Sequence, residues 1–175
     1  MAYKTLSITT RRLARGHVPP GKAMMLYKVA HLIHLVGFAA YIGAGFAQQQ
    51  FLKSSSRAGL ASAVRDAYER LSATVVTKIE LPAVMAQVLS GIIYVVLNPG
   101  WMKMGWLHGK LLAVLILLVL SHVEMFNARA IVRLRTARGD QASTEIDARK
   151  KKHALLGAFG TLAVLAVIGL VVFGR

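Results

Sequence analysis

The sequence predicts an all-α integral membrane protein, a four-transmembrane-helix bundle with an amphipathic helix between the first and second spans. Three observations carry that reading. The hydrophobic fraction is 55% and the mean hydropathy is +0.53, too apolar for an ordinary soluble domain. Apolar runs of about 20 residues, the length that crosses a bilayer as a helix, recur along the chain. Lys and Arg gather in the segments that flank those runs, as they do around membrane spans. The net charge of +15 would also suit nucleic acid. Its placement beside the apolar runs points instead to anionic lipid, and no nucleic-acid partner is expected. With no cysteine, the chain forms no disulfide, iron–sulfur cluster, thiolate metal site or CxxCH haem attachment.

Residues 1–23 form a basic segment with Lys4, Arg11, Arg12, Arg15 and Lys22 and no acidic residue. No apolar core with a small-residue cleavage site follows in signal-peptide fashion, so the segment reads as retained; an organellar transit peptide has the same composition. Residues 24–175 read as a single membrane domain.

The first span covers about residues 24–47. Lys28, His31 and His34 follow one another at i, i+3 spacing along one broad stripe. Its later half is small, with Ala39-x-x-x-Gly43 and Ala40-x-x-x-Ala44 spaced for close helix packing. Gln48, Gln49 and Gln50 mark the exit. A linker follows, with an amphipathic helix expected over residues 58–71. It is read either as interfacial, through Leu60, Val64, Ala67 and Leu71, or as an extension of the next helix. The second span, about 73–97, contains Lys78 and Glu80 and is interrupted by Pro82. Proline has no N–H, so the carbonyl of residue 78 loses its helical partner and a break is expected there. Asn98-Pro99-Gly100 ends that span in a turn, and the short connection makes the next span its antiparallel neighbour.

The third span, 105–127, carries ionisable groups near both ends: His108 and Lys110 at the start, His122 and Glu124 at the finish. Such groups inside a span are costly and face a partner, a cavity or a cofactor. His108 and His122 lie within roughly 40° on one helical face but roughly 21 Å apart along the axis. A charged segment follows, with a loop expected at 138–144. The fourth span, 154–174, has no ionisable residue up to its end and reads as a structural helix.

Four spans place both termini on one side. Depth along the spans then predicts two polar layers. His31, His34, His108 and Lys110 lie near the terminal side; Lys78, Glu80, His122 and Glu124 lie near the other, which carries more Lys and Arg and is read as cytoplasmic. The first layer could hold a b-type haem between histidines of facing helices, with His31 and His108 as axial ligands, His34 as the fallback and Lys28 or Lys110 neutralising propionates. The second layer reads as a self-neutralising Lys78–Glu80 pair at the break, or as a proton-conducting site.

The runs Tyr27-Lys28-x-x-His31-Leu32-Ile33, Glu69-Arg70-Leu71, Pro82 and Gly105-Trp106-Leu107-His108-Gly109-Lys110-Leu111 occur in that order. Over about residues 27–127 the chain resembles the HemJ-type protoporphyrinogen IX oxidases and their CopD-like relatives. The resemblance implies a small helical membrane protein that binds haem b and oxidises protoporphyrinogen IX, a porphyrin precursor, with electrons passing towards quinone. By position it implies functional roles for His31 and Lys110 and matches His108 to the family's WLHxKL run. The chain departs from the family at Phe38 and Gln48 or a neighbour, at 149–153, and at His122, one residue off the usual spacing. The expected location is a bacterial or organellar inner membrane. The rival readings are a non-catalytic CopD-like protein in metal handling or electron transfer, and a structural subunit of a membrane complex or homo-oligomer.

Overall fold

The computed structural model of the chain describes residues 20–173, and among them it is helical with no strand. The basic segment at 1–23 thus lies outside the described residues up to residue 19. The helices are α1 (Pro20–Ser55), α2 (Ser62–Val75), α3 (Leu81–Leu97), α4 (Gly105–Arg138) and α5 (Ser143–Phe173). Three stretches are long and apolar enough to cross a membrane: Gly21–Ser55, Ser62–Leu97 and Gly105–Phe173. The third, of 69 residues, folds back on itself at the short 3-10 turn Gly139–Ala142, so that α4 and α5 run antiparallel. Gly139, with φ of +53°, takes a conformation that a side chain would oppose.

α1 has 36 residues, which at 1.5 Å per residue is about 54 Å, well beyond an apolar thickness of about 30 Å. α1, α4 and α5 all overrun the expected spans at one end. There they carry the charged residues that the sequence assigns to connections. This overrun gives the molecule two unlike ends: an apolar one that holds the chain's histidine-bearing stripe, and a charged one.

Two details differ from the sequence expectations. α2 begins at Ser62, not residue 58, because Gly59 has φ of +76° and the chain turns there. Its apolar residues Val64 and Leu71 are exposed, whereas Glu69 and Ser72 are buried. The polar face packs inward because basic partners from α4 and α5 wait there. Helical structure then runs without a loop from Ser62 to Leu97 through a π-turn at Val76–Glu80, just before Pro82. The ring deprives the preceding turn of a donor, and the backbone widens its turn to compensate. α2 is thus an extension of α3.

One core of Tyr41, Ala83, Val84, Ala113, Leu117, Val164 and Val167 draws on α1, α3, α4 and α5. Helices α1 and α3 approach closely at Gly37, where a Cβ would stand 3.1 Å from the Ala83 carbonyl oxygen and 3.2 Å from Gln87 Cγ. Gly43, a member of the expected packing motif, has nothing within 4 Å of a would-be Cβ and is exposed. Its stripe faces away from the neighbouring helices. Outward positions on the long helices carry large apolar side chains, among them Leu32, Leu89, Leu112 and Leu162, as a lipid-facing surface requires.

Candidate functional site

The apolar end contains a cavity of about 990 Å³, near the upper limit for small-molecule sites. One stripe of α1 lines it: Tyr27, His31, His34 and Phe38, spaced i, i+4, i+7, i+11. α4 contributes Lys110, Val114 and Leu117 at the same helical spacing. The end of α3 supplies Gln87 and Tyr94, the turn after it Trp101, and α5 the apolar wall of Val167 and Val171.

Aromatic rings form a continuous surface in this cavity. Tyr27 stacks on His31 with centroids 6.2 Å apart, Tyr94 lies 5.6 Å from the His34 ring, and Trp101 follows at 6.2 Å from Tyr94. Both histidines are oriented through one ring nitrogen. His31 Nδ1 lies 2.8 Å from Tyr94 Oη, and His34 Nδ1 lies 2.9 Å from Ser90 Oγ. The Ser90 hydroxyl donates to the Ala86 carbonyl at 2.8 Å. With its proton directed there it can accept from His34 Nδ1–H, the tautomer that leaves the ring lone pair on Nε2. That is the arrangement of a metal-ligating imidazole fixed by an outer hydrogen bond.

Of the expected first layer, the structure brings together His31, His34 and Lys110. His108 is exposed, lies outside the cavity lining and approaches the carbonyl of Met104, just ahead of its own helix, at 3.2 Å. It stands two positions from Lys110, which is roughly 200° around the helix, so a stripe that presents one turns the other away. Lys28 lies on a different stripe of α1, in a separate depression with Gly21, Met24 and Met25. The helix rotates roughly 100° per residue, so Lys28 leaves the stripe that Tyr27 begins.

The expected second layer is rebuilt more thoroughly. Glu80 and Glu124 meet in the interior, but Lys78 is exposed, and His122 Nδ1 approaches the Leu118 carbonyl at 2.7 Å. The self-neutralising Lys78–Glu80 pair is therefore not formed: two residues apart, the side chains leave the helix in different directions. Instead the Gln48 amide donates to Glu80 and, at 3.3 Å, to Glu124. The Ser121 hydroxyl donates to Glu80 at 3.0 Å, and His153 Nε2 lies 3.0 Å from Gln48 Oε1. The Gln48 amide thus bridges the two carboxyl groups. Ser121 stands one turn beyond Leu117 of the cavity lining, so this buried cluster lies just beneath the cavity floor.

Further towards the charged end, Glu69 receives Arg135 through two guanidinium nitrogens at 2.9 Å and Lys150 at 2.8 Å. All three side chains are buried. Arg135 also reaches Asp140 at 2.8 Å.

Several of these groups escape a reading of the sequence. Gln87, Ser90 and Tyr94 carry a faint signal, polar atoms at i, i+3, i+7 in an apolar run. Gln48 reads as a helix exit and His153 as the end of a basic tract, and only packing joins them.

No family model, curated protein or solved structure matches this chain. Fold and site together define a class: a helical protein with three stretches fit to cross a membrane and an aromatic-walled, histidine-bearing cavity at one end.

Proposed function

We propose that this protein spans an inner membrane with four helices, α1, α2–α3, α4 and α5, and that its cavity binds haem b as part of an oxidoreductase of the HemJ type acting on protoporphyrinogen IX. The observation that supports this reading is the cavity itself. It has the volume and flat aromatic walls for a conjugated macrocycle, and His34 and His31 sit on one face with their rings oriented by Ser90 and Tyr94. Lys110 lines the same space, where an ammonium would engage a propionate or a substrate carboxylate. The donor set fits haem with one axial imidazole from α1; among the described residues no histidine from a facing helix lines the cavity. Bound there, haem b would supply one-electron redox chemistry. This chain's residues would hold it, keep bulk water from its faces and orient its carboxylates. The Glu80–Glu124 pair beneath the floor is placed to take up protons released from a porphyrinogen, while electrons pass towards quinone.

The resemblance carried by His31 and by the run 105–111 supports the same reading. Two stretches at which the chain departs from that family, at Gln48 and at 149–153, meet through the Gln48–His153 hydrogen bond.

The test is the absorption spectrum of detergent-purified protein, oxidised and reduced. A Soret band is expected in the wild type, lost in a His31→Ala/His34→Ala double variant. A wild type that shows no band even after haem is added, or a band that survives the double substitution, overturns the assignment. Turnover of protoporphyrinogen IX then separates an oxidase from a haem protein without that activity.

A further inference from the structure

A second concavity, of about 430 Å³, opens on the outer surface where the π-turn passes α4. Its polar lining is Arg70, Thr74, Thr77, Lys78, Arg129 and Arg133. Four cations around so small a volume repel one another unless an anion is supplied.

The chain supplies almost none. All seven of its Asp and Glu residues are among the described residues, and none lines this pocket. Asp66 engages one edge of Arg70 at 2.8 Å. Glu69, Asp140 and Glu145 are held in ion pairs elsewhere, and Glu80 and Glu124 are buried in the interior. Asp147 is exposed on α5, away from the lining. Among the described residues Lys78, Arg129 and Arg133 form no ion pair or hydrogen bond.

The position of the pocket narrows the anion. It sits where the charged end gives way to the apolar one. Ile79, next to Lys78, is exposed. So are Phe126 and Val119, which precede Arg133 by about two and four turns on the same face of α4. One rim is cationic with two threonine hydroxyls, and the other is an apolar strip that leads away from it. A soluble anion would use only the first; an amphiphile with a phosphate head would use both. Basic pockets between helices at this depth suit such head groups.

We propose that this pocket binds the phosphate head group of an anionic phospholipid, with an acyl chain along the Phe126 side of α4. Lys78, Arg129 and Arg133 supply the charge and Thr77 a hydrogen bond, the Thr74 hydroxyl donating instead to the Arg70 carbonyl at 2.9 Å. The site is independent of the cavity and of any cofactor in it.

The full chain in neutral detergent is titrated with phosphatidylglycerol, phosphatidylcholine and inorganic phosphate, and bound lipid is counted by native mass spectrometry. Phosphatidylglycerol should be retained in preference to phosphatidylcholine, and inorganic phosphate at equal concentration should not displace it. A Lys78→Gln/Arg129→Gln/Arg133→Gln variant should bind it on the order of 100-fold more weakly, given about 1 kcal/mol per cation. Arg133→Gln alone, at an exposed position that does not threaten folding, should weaken it about fivefold. An Arg138→Gln/Arg149→Gln control, which removes equally basic but ion-paired residues, should bind as the wild type does. Equal retention of the two lipids overturns the proposal, as does unchanged binding in Arg133→Gln. Displacement by inorganic phosphate overturns the lipid assignment.

Discussion

The two ends of the bundle use the same residue types for opposite purposes. At the cavity, which Lys110 also lines, His31 and His34 are each held from one side and face space on the other. Beyond its floor, Gln48, Glu80, Glu124 and His153 are buried and linked to one another through Gln48, and the Glu69–Arg135–Lys150 knot closes the charged end. Polar groups that neighbours complete hold helices together. Polar groups left half-complete beside a cavity are available to a ligand. What separates the two is the number of helices that converge on each group, not the chemistry of its side chain.

The comparison breaks most sharply at Glu69. Replacing it with Ala leaves Arg135 and Lys150 buried without their carboxylate, which should cost about 3–5 kcal/mol. Thermal unfolding in detergent measures this, and a loss no larger than that of a cavity-histidine variant would dissolve the contrast between the ends. Gly37→Val comes next. A side chain there meets the Ala83 carbonyl at the closest approach of α1 and α3, and overpacking should destabilise by about 1–3 kcal/mol in the same measurement.

Within the carboxyl cluster the prediction is one of kind. Glu124→Leu strips an acceptor from the buried Gln48 amide and should cost about 1–3 kcal/mol. Glu124→Gln retains an acceptor for the Gln48 amide and should cost less. If the pair shares a proton, a carboxylic C=O stretch in the infrared spectrum should vanish in Glu124→Gln while the fold persists. A band that stays would place the proton elsewhere. The smallest effect belongs to His108→Ala. Exposed and bonded only to the N-cap of its own helix, His108 should change stability by no more than about 0.5 kcal/mol and leave any Soret band in place. A lost band would return His108 to the cofactor site.

Much of the fold is legible in the sequence because hydrocarbon and backbone chemistry act locally. Apolar run length marks the long helices, and Asn98-Pro99-Gly100 and Gly139 mark where they end. Pro82 marks the break in the helix, although not that a π-turn would absorb it. The cavity's α1 stripe is partly legible too, since His31 and His34 share a face whichever way the helix turns. Less legible is which of several neighbouring faces looks inward. Lys28 and His108 sit at the expected depth but on the wrong side of their helices, and Lys78 and Glu80, two residues apart, part company at the π-turn.

By itself the sequence determined the helical class, the places where helices stop, and the depth of each polar group, because all three follow from composition and rise per residue along one chain. Tertiary structure alone decided rotation and partnership. Gln48 finds Glu80 and His153, and Glu69 finds Arg135 and Lys150, because rigid helices in contact must bring some faces together and expose others. A buried polar atom without a partner costs more than the small differences in helix propensity that the sequence displays.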